Sequence, residues 1–392
     1  MKRLLLILCL AAIALTSCGK KYRLHRDEIS SEGNWPYSRG DLSARGAVES
    51  AVFDGRLNVV WEASTRGKPV GPLTLYNNTL IYPETRKRIN FYDVHTGNYR
   101  GRVKTRGLVQ TGVVIQDSLA LFALSPRHNR LYGYDLLRRK TLWDRPLRDA
   151  RAGPIILDNR LLVSSGAGLL EAYSLQDGSA SWRFEADNQL STSASVAGDR
   201  VFQPADRGVL YALAADDGRE LYRVELEGPI VSVVAIGKFV YVTDVLGHVY
   251  ALEPNDGSIV WQRQLNGPIW TSPAVTADRV FVGHSGGEIV ALDATTGTEL
   301  WRHRTVDVVM ASPVVLGRFL VVGTARGRLL VLRTEDGSLI DEDKLEGAIE
   351  YSPVTDGKRL IVATQAGKIV CYGENNAQPS LADQGIDSQH EP

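Results

Sequence analysis

Residues 287–301 read Gly-Glu-Ile-Val-Ala-Leu-Asp-Ala-Thr-Thr-Gly-Thr-Glu-Leu-Trp, ending at Trp301. The same phrase returns as Gly168 … Ala172 … Asp177-Gly178 … Trp182, as Gly208 … Ala212-Leu213 … Asp217-Gly218 … Tyr222, and as Gly247 … Ala251-Leu252 … Asp256-Gly257 … Trp261. A further copy, Gly327 … Val331-Leu332 … Asp336-Gly337, carries Asp341 where the others carry an aromatic. The turn glycines 178, 218, 257, 297 and 337 are spaced 40, 39, 40 and 40 residues apart. A fixed period of that length marks a repeat architecture.

Inside each copy apolar residues alternate, as in Val249 and Ala251 against Tyr250 and Leu252, which is the period of a strand. Asp-Gly and Thr-Gly steps supply the positive φ of a tight hairpin. A second strand pair precedes each hairpin, for example 270–275 followed by 278–282. Four short antiparallel strands in forty residues predict an all-β propeller blade. The first strands fall at Pro72, Val113, Pro154, Ala194, Val233, Pro273, Pro313 and Pro353, giving an eight-bladed ring over 57–373. The last unit stops after its third strand, and an orphan strand with Trp61 stands at 57–63. That strand is expected to complete the eighth blade beside 367–373 and so remove the open edges.

The first two units depart from the phrase. Thr96-Gly97 keeps its turn but is followed by Gly101 at the Trp position, whereas the next unit keeps Trp143 and has Arg139 at the turn.

Lys2 and Arg3 precede an apolar run from Leu4 to Leu15, too short to span a bilayer and fitting an export signal over 1–17. Leu15-Thr16-Ser17-Cys18 resembles the bacterial lipoprotein cleavage box. The resemblance implies acylation of Cys18, and Gly19 after it implies the periplasmic face of the outer membrane. Residues 18–56 are polar and glycine-rich and read as a lipidated tether with a docked piece at Trp35-Pro36; if flexible, about 38 residues would span roughly 35 Å. The tail 374–392 reads as disordered. Cys371 sits where other copies have Ala or Val and is expected as a small core residue. The chain carries 45 Lys and Arg against 45 Asp and Glu, so its net charge provides no basic field to draw nucleic acid.

The phrase at Ala291–Trp301 resembles the repeat of quinoprotein alcohol dehydrogenases, whose resemblance would imply pyrroloquinoline quinone, calcium and an adjacent cysteine pair. No adjacent cysteines occur in this chain. The seven histidines occupy unrelated offsets without metal-ligand spacing, and each reads as a surface or rim residue. Neither a cofactor, a metal nor a catalytic residue is therefore assigned. Trp143, Trp182, Trp261 and Trp301 recur at one offset and are assigned, with Trp61, to packing between blades. Trp270 lies outside that offset, at the head of an innermost strand, and is a candidate contact.

An exported, acylated single ring of this repeat also resembles the BamB family of outer-membrane assembly lipoproteins. That resemblance implies a monomeric, non-catalytic scaffold binding the POTRA domains of the β-barrel insertase through blade-connecting loops. The family's contact loops correspond to 186–191 and 226–230 here, which makes Asp187, Asn188, Gln189, Leu190 and Glu227 candidate contacts. The competing reading is a periplasmic propeller that binds or senses a small ligand, followed by a quinone-dependent dehydrogenase.

Overall fold

The computed structural model describes residues 21–24, 39–49, 51–124 and 128–374. Cys18, the expected export signal over 1–17, Trp35-Pro36 and all of the tail except Glu374 lie outside them. Eight antiparallel sheets follow one another as blades 1 to 8, at 74–104, 114–146, 155–185, 195–225, 230–264, 274–304, 314–344, and 354–372 with 59–64. Among the described residues there is no helix.

The eighth blade is closed as expected: Val59–Ser64 pairs antiparallel with Lys368–Tyr372, placing Trp61 opposite Cys371. Cys371 is fully buried, and burial pushes its thiol up to about 12. Middle strands such as Arg279–His284 and Glu288–Asp293 are buried almost throughout, whereas outer strands such as Ala180–Glu185 alternate between partly buried and exposed positions. The core lies between blades. Val234, Tyr241 and Trp261 of blade 5, for example, pack against Val275, Val290 and Leu292 of blade 6.

The repeat's turn glycine and its aromatic meet across each such junction. Trp261 donates its indole N–H to the Ala294 carbonyl at 3.0 Å, and a Cβ on Gly297 would lie 2.6 Å from its ring. Gly297, at φ +68°, thus serves both the turn and the neighbouring ring. Trp61 on Gly97, Trp143 on Gly178 and Trp301 on Gly337 repeat the contact, with N–H···O distances of 2.7, 2.9 and 2.9 Å. Trp182 packs over Gly218 and Tyr222 over Gly257, with the Tyr222 hydroxyl donating to the Pro254 carbonyl at 2.7 Å, whereas the buried Trp182 indole N–H has no hydrogen-bond partner among the described residues.

Two junctions are built differently. Asp341 has no complete hairpin ahead of it, because the two chain ends form that part of blade 8; it accepts the Leu57 N–H at 2.9 Å. Gly101 leaves the blade 1–2 junction without an aromatic, and Tyr22 fills it. The Tyr22 ring stacks on Phe91 with centroids 3.8 Å apart, and a Cβ on Gly101 would lie 2.6 Å from the Tyr22 nitrogen. Leu24 donates its N–H to the Leu136 carbonyl, the counterpart of the carbonyls that receive the indoles.

The described parts of 18–56 therefore correct the expectation of a flexible tether. Besides 21–24, residues 39–49 and 51–57 follow the ring. Arg39 is buried, donating to the Pro273 and Pro313 carbonyls at 2.7 and 3.0 Å and to Ser352 Oγ at 3.3 Å, at the heads of three innermost strands. Burial lowers its pKa to about 10, with Asp41 opposing, so it remains a cation at neutral pH. Onward from it, the Leu42, Arg45 and Gly46 carbonyls accept the N–H groups of Val196, Val275 and Val315, each at 2.9 Å. Ala47–Val48 then adds a parallel fifth strand to blade 7. Val52 bonds Gly357 and Phe53 packs edge-on to Phe319. The partners of residues 42–53 sit at or beside the first hairpins of blades 4, 6, 7 and 8, so this part of the segment lies on that face of the ring around the channel.

Candidate partner-binding surface

Antiparallel order places two kinds of loop on the opposite face: the turn between second and third strands, and the connection from a fourth strand to the next blade. They are bonded together in seven blades, through Thr85 N–H to Lys68 O, Gly166 to Asp149, Asp206 to Gln189, Val245 to Pro229, Ser285 to Pro268, Ala325 to Val308 and Gln365 to Ala348, at 2.8–3.0 Å. This regular layer leaves part of the side chains of the connections pointing outward, where variation does not disturb the blades.

Between blades 3 and 4 the layer opens into a groove of about 450 Å3, with Asp187, Asn188, Gln189, Asp206 and Arg207 in its wall. Three sequence candidates are thus brought together. Asp187 also holds Arg223 at 2.6 Å, and that guanidinium lies 5.0 Å over the Tyr211 ring, so the groove has an ordered charged side. Leu190 is a correction. It is fully buried with Ala205, Tyr211 and Leu213 in the core shared by blades 3 and 4, because its connection has to descend from the rim toward the next innermost strand. Its side chain is not available to a partner. Glu227 is exposed and lies in a neighbouring connection, 3.4 Å from His248 Nε2 and 3.2 Å from Gln262.

Trp270 is 60% exposed although Thr271 beside it is buried and bonded to the Gly283 carbonyl. The next connection along the ring presents Val306, 74% exposed, with Val308 and Met310 also outward. Leu246 emerges from the turn of blade 5, on the side of Trp270 away from Val306. The sequence carries this signal as four apolar residues among the five from Val306 to Met310, broken only by Asp307, in a segment that should be polar. Only Trp270 was singled out, because the run resembles the core strands around it. Exposed apolar residues on neighbouring loops are the usual material of a protein contact.

Two histidines also differ from expectation. His248 and His284 are buried, bonded to Asp244 at 2.8 Å and Glu288 at 3.2 Å. Burial lowers the His284 pKa against the pull of Glu288, which keeps the ring neutral as an acceptor for the Gly286 N–H. Both belong to turn architecture. Among the described residues no cluster of three or more His, Cys, Asp or Glu could hold a metal.

A quinone and its calcium do not fit the axis of this ring. Arg39 takes the Pro273 and Pro313 carbonyls of two innermost strands, the cavity beside it is about 210 Å3, and buried Cys371 has no cysteine neighbour among the described residues.

Among curated proteins none matches the chain. Solved structures share the fold. BamB from Moraxella catarrhalis superposes with a TM-score of 0.70 at 16% identity, over 81% of this chain and 100% of that one. The quinohemoprotein alcohol dehydrogenase from Comamonas testosteroni gives 0.72 at 12% identity, over 91% and 83%, and a europium-containing methanol dehydrogenase 0.73 at 12%, over 88% and 99%. Likeness at such identities concerns architecture alone. A family model is more specific, and the one described as outer membrane protein assembly factor BamB matches residues 127–235 and 206–390. With more than half of its length so matched, the chain belongs to that BamB family.

Proposed function

We propose that this protein is a non-catalytic scaffold in outer-membrane protein assembly, anchored through acylated Cys18 on the periplasmic face and binding protein partners with its connection-loop face. The observation that carries the reading is the exposed apolar set Trp270, Val306, Val308 and Met310 on one face, while part of the chain's own N-terminal segment lies on the other. Family membership supports an assembly role. The groove holding Asp187, Asn188 and Gln189, with Glu227 beside it, supplies charge next to the apolar set, the mixture found in specific protein contacts. The partner that the family resemblance suggests is the POTRA region of the barrel insertase.

The test is purification of the tagged protein from membranes in mild detergent. Co-purification of the insertase is expected, and Trp270→Ala should reduce it several-fold while leaving the melting temperature within about a degree, since an exposed side chain contributes little to folding. Absence of the insertase would refute the assembly role. Dye reduction by the purified protein with added quinone and calcium would refute the non-catalytic one.

A further inference from the structure

Charge is distributed unevenly around the ring. Residues 86–151, which hold most of blade 1 and all of blade 2, contain 15 Lys and Arg against 5 Asp and Glu in a chain whose totals are 45 and 45. The nearby acids are largely consumed: Glu84, Asp93, Asp135, Asp144 and Asp149 face Arg88, Arg100, Arg138, Arg130 and Arg151 at 2.7–3.9 Å. Exposed Lys104, Arg106, Arg139, Lys140 and Arg148 make no ion pair with a described residue. Lys104 and Arg106 edge a groove of about 340 Å3 between the two blades, whose other wall includes Thr141, next to Lys140.

Independently, this is the junction where the N-terminal segment docks. Tyr22 and Leu24 point into it and Lys21 and Arg23 point out, adding two exposed cations. Cys18 precedes Lys21 by three residues, which reach at most roughly 10 Å when extended. An acylated Cys18 would therefore stay within that reach of Lys21 and of the cationic rim beside it.

We infer that the rim between blades 1 and 2 is a membrane-facing surface that binds anionic lipid headgroups. The inference rests on the anchored reading for its orientation. Cations near a charged bilayer each add attraction that salt screens within about 10 Å. A disc held by acyl chains at one rim, with that rim cationic, would stand on edge, leaving the connection face along the membrane normal and open to partners.

The experiment uses the mature chain from Gly19, which lacks the acyl chains and retains every described residue, sedimented with vesicles of phosphatidylcholine alone or with one-third phosphatidylglycerol. Binding is expected to the anionic vesicles only and to vanish at high salt. Lys104→Glu, Arg106→Glu, Arg139→Glu and Lys140→Glu combined should weaken it by roughly tenfold or more with unchanged melting. Arg333→Glu with Lys358→Glu, on blades 7 and 8, should leave it unaltered. Equal binding to neutral vesicles, no binding to either, or insensitivity to the four-residue reversal would overturn the inference. The anchor is judged separately, by the intact mass of protein extracted from membranes: an unmodified Cys18 would refute acylation while leaving the vesicle result to decide the headgroup surface.

Discussion

The junction between blades 6 and 7 and that between blades 1 and 2 solve one packing problem with different parts of the chain. In the first, Trp301 reaches over Gly337 and bonds the Thr334 carbonyl, so one residue on each side suffices. In the second, Gly101 offers no side chain, and Tyr22 with Leu24 supplies the ring and the N–H from a distant segment. The pairing explains the sequence on both sides. Where the aromatic is present the facing turn needs glycine, and where Gly101 stands the turn tolerates Arg139 at φ +55°. The irregular junction thus ties the ring to the N-terminal segment of the chain, whereas the regular one only holds two blades together.

The comparison can be broken most severely at a junction core. Leu190→Arg would place a guanidinium in the apolar contact of blades 3 and 4 and should cost more than about 4 kcal/mol, giving little folded protein in a chemical-denaturation series. Trp301→Ala should cost about 3–5 kcal/mol by the same measurement, through the void it opens. Gly337→Ala forces a Cβ toward the Trp301 ring at a positive φ and should cost roughly 1–3 kcal/mol, whereas Arg139→Gly, facing no aromatic, should stay within about 1 kcal/mol of the parent.

Much of the ring was legible because each blade repeats the demands of its neighbours. Period, alternation and turn glycines located all eight blades, and Trp61 betrayed the closing strand. What the sequence hid was contact between segments that do not repeat. Tyr22 and Arg39 lie in a stretch whose polarity and glycines read as a tether, since a docked segment that fills single gaps needs only a few inward residues. Leu190 was misplaced for a related reason: a connection passing from rim to axis alternates exposed and buried positions over a few residues, too few to show a period. Asp187, Asn188 and Gln189 were found together because they share one turn of chain, while Val306 and Met310 were masked by the apolar strands beside them.

The role of the N-terminal segment at the irregular junction is tested most directly by thermal and denaturant unfolding of Tyr22→Ala beside the parent. A loss of about 2–4 kcal/mol, comparable to removing a buried aromatic elsewhere in the ring, is expected. A variant as stable as the parent would contradict the substitution of Tyr22 for the missing aromatic, and with it the docking of residues 21–24 as a structural part of the junction between blades 1 and 2.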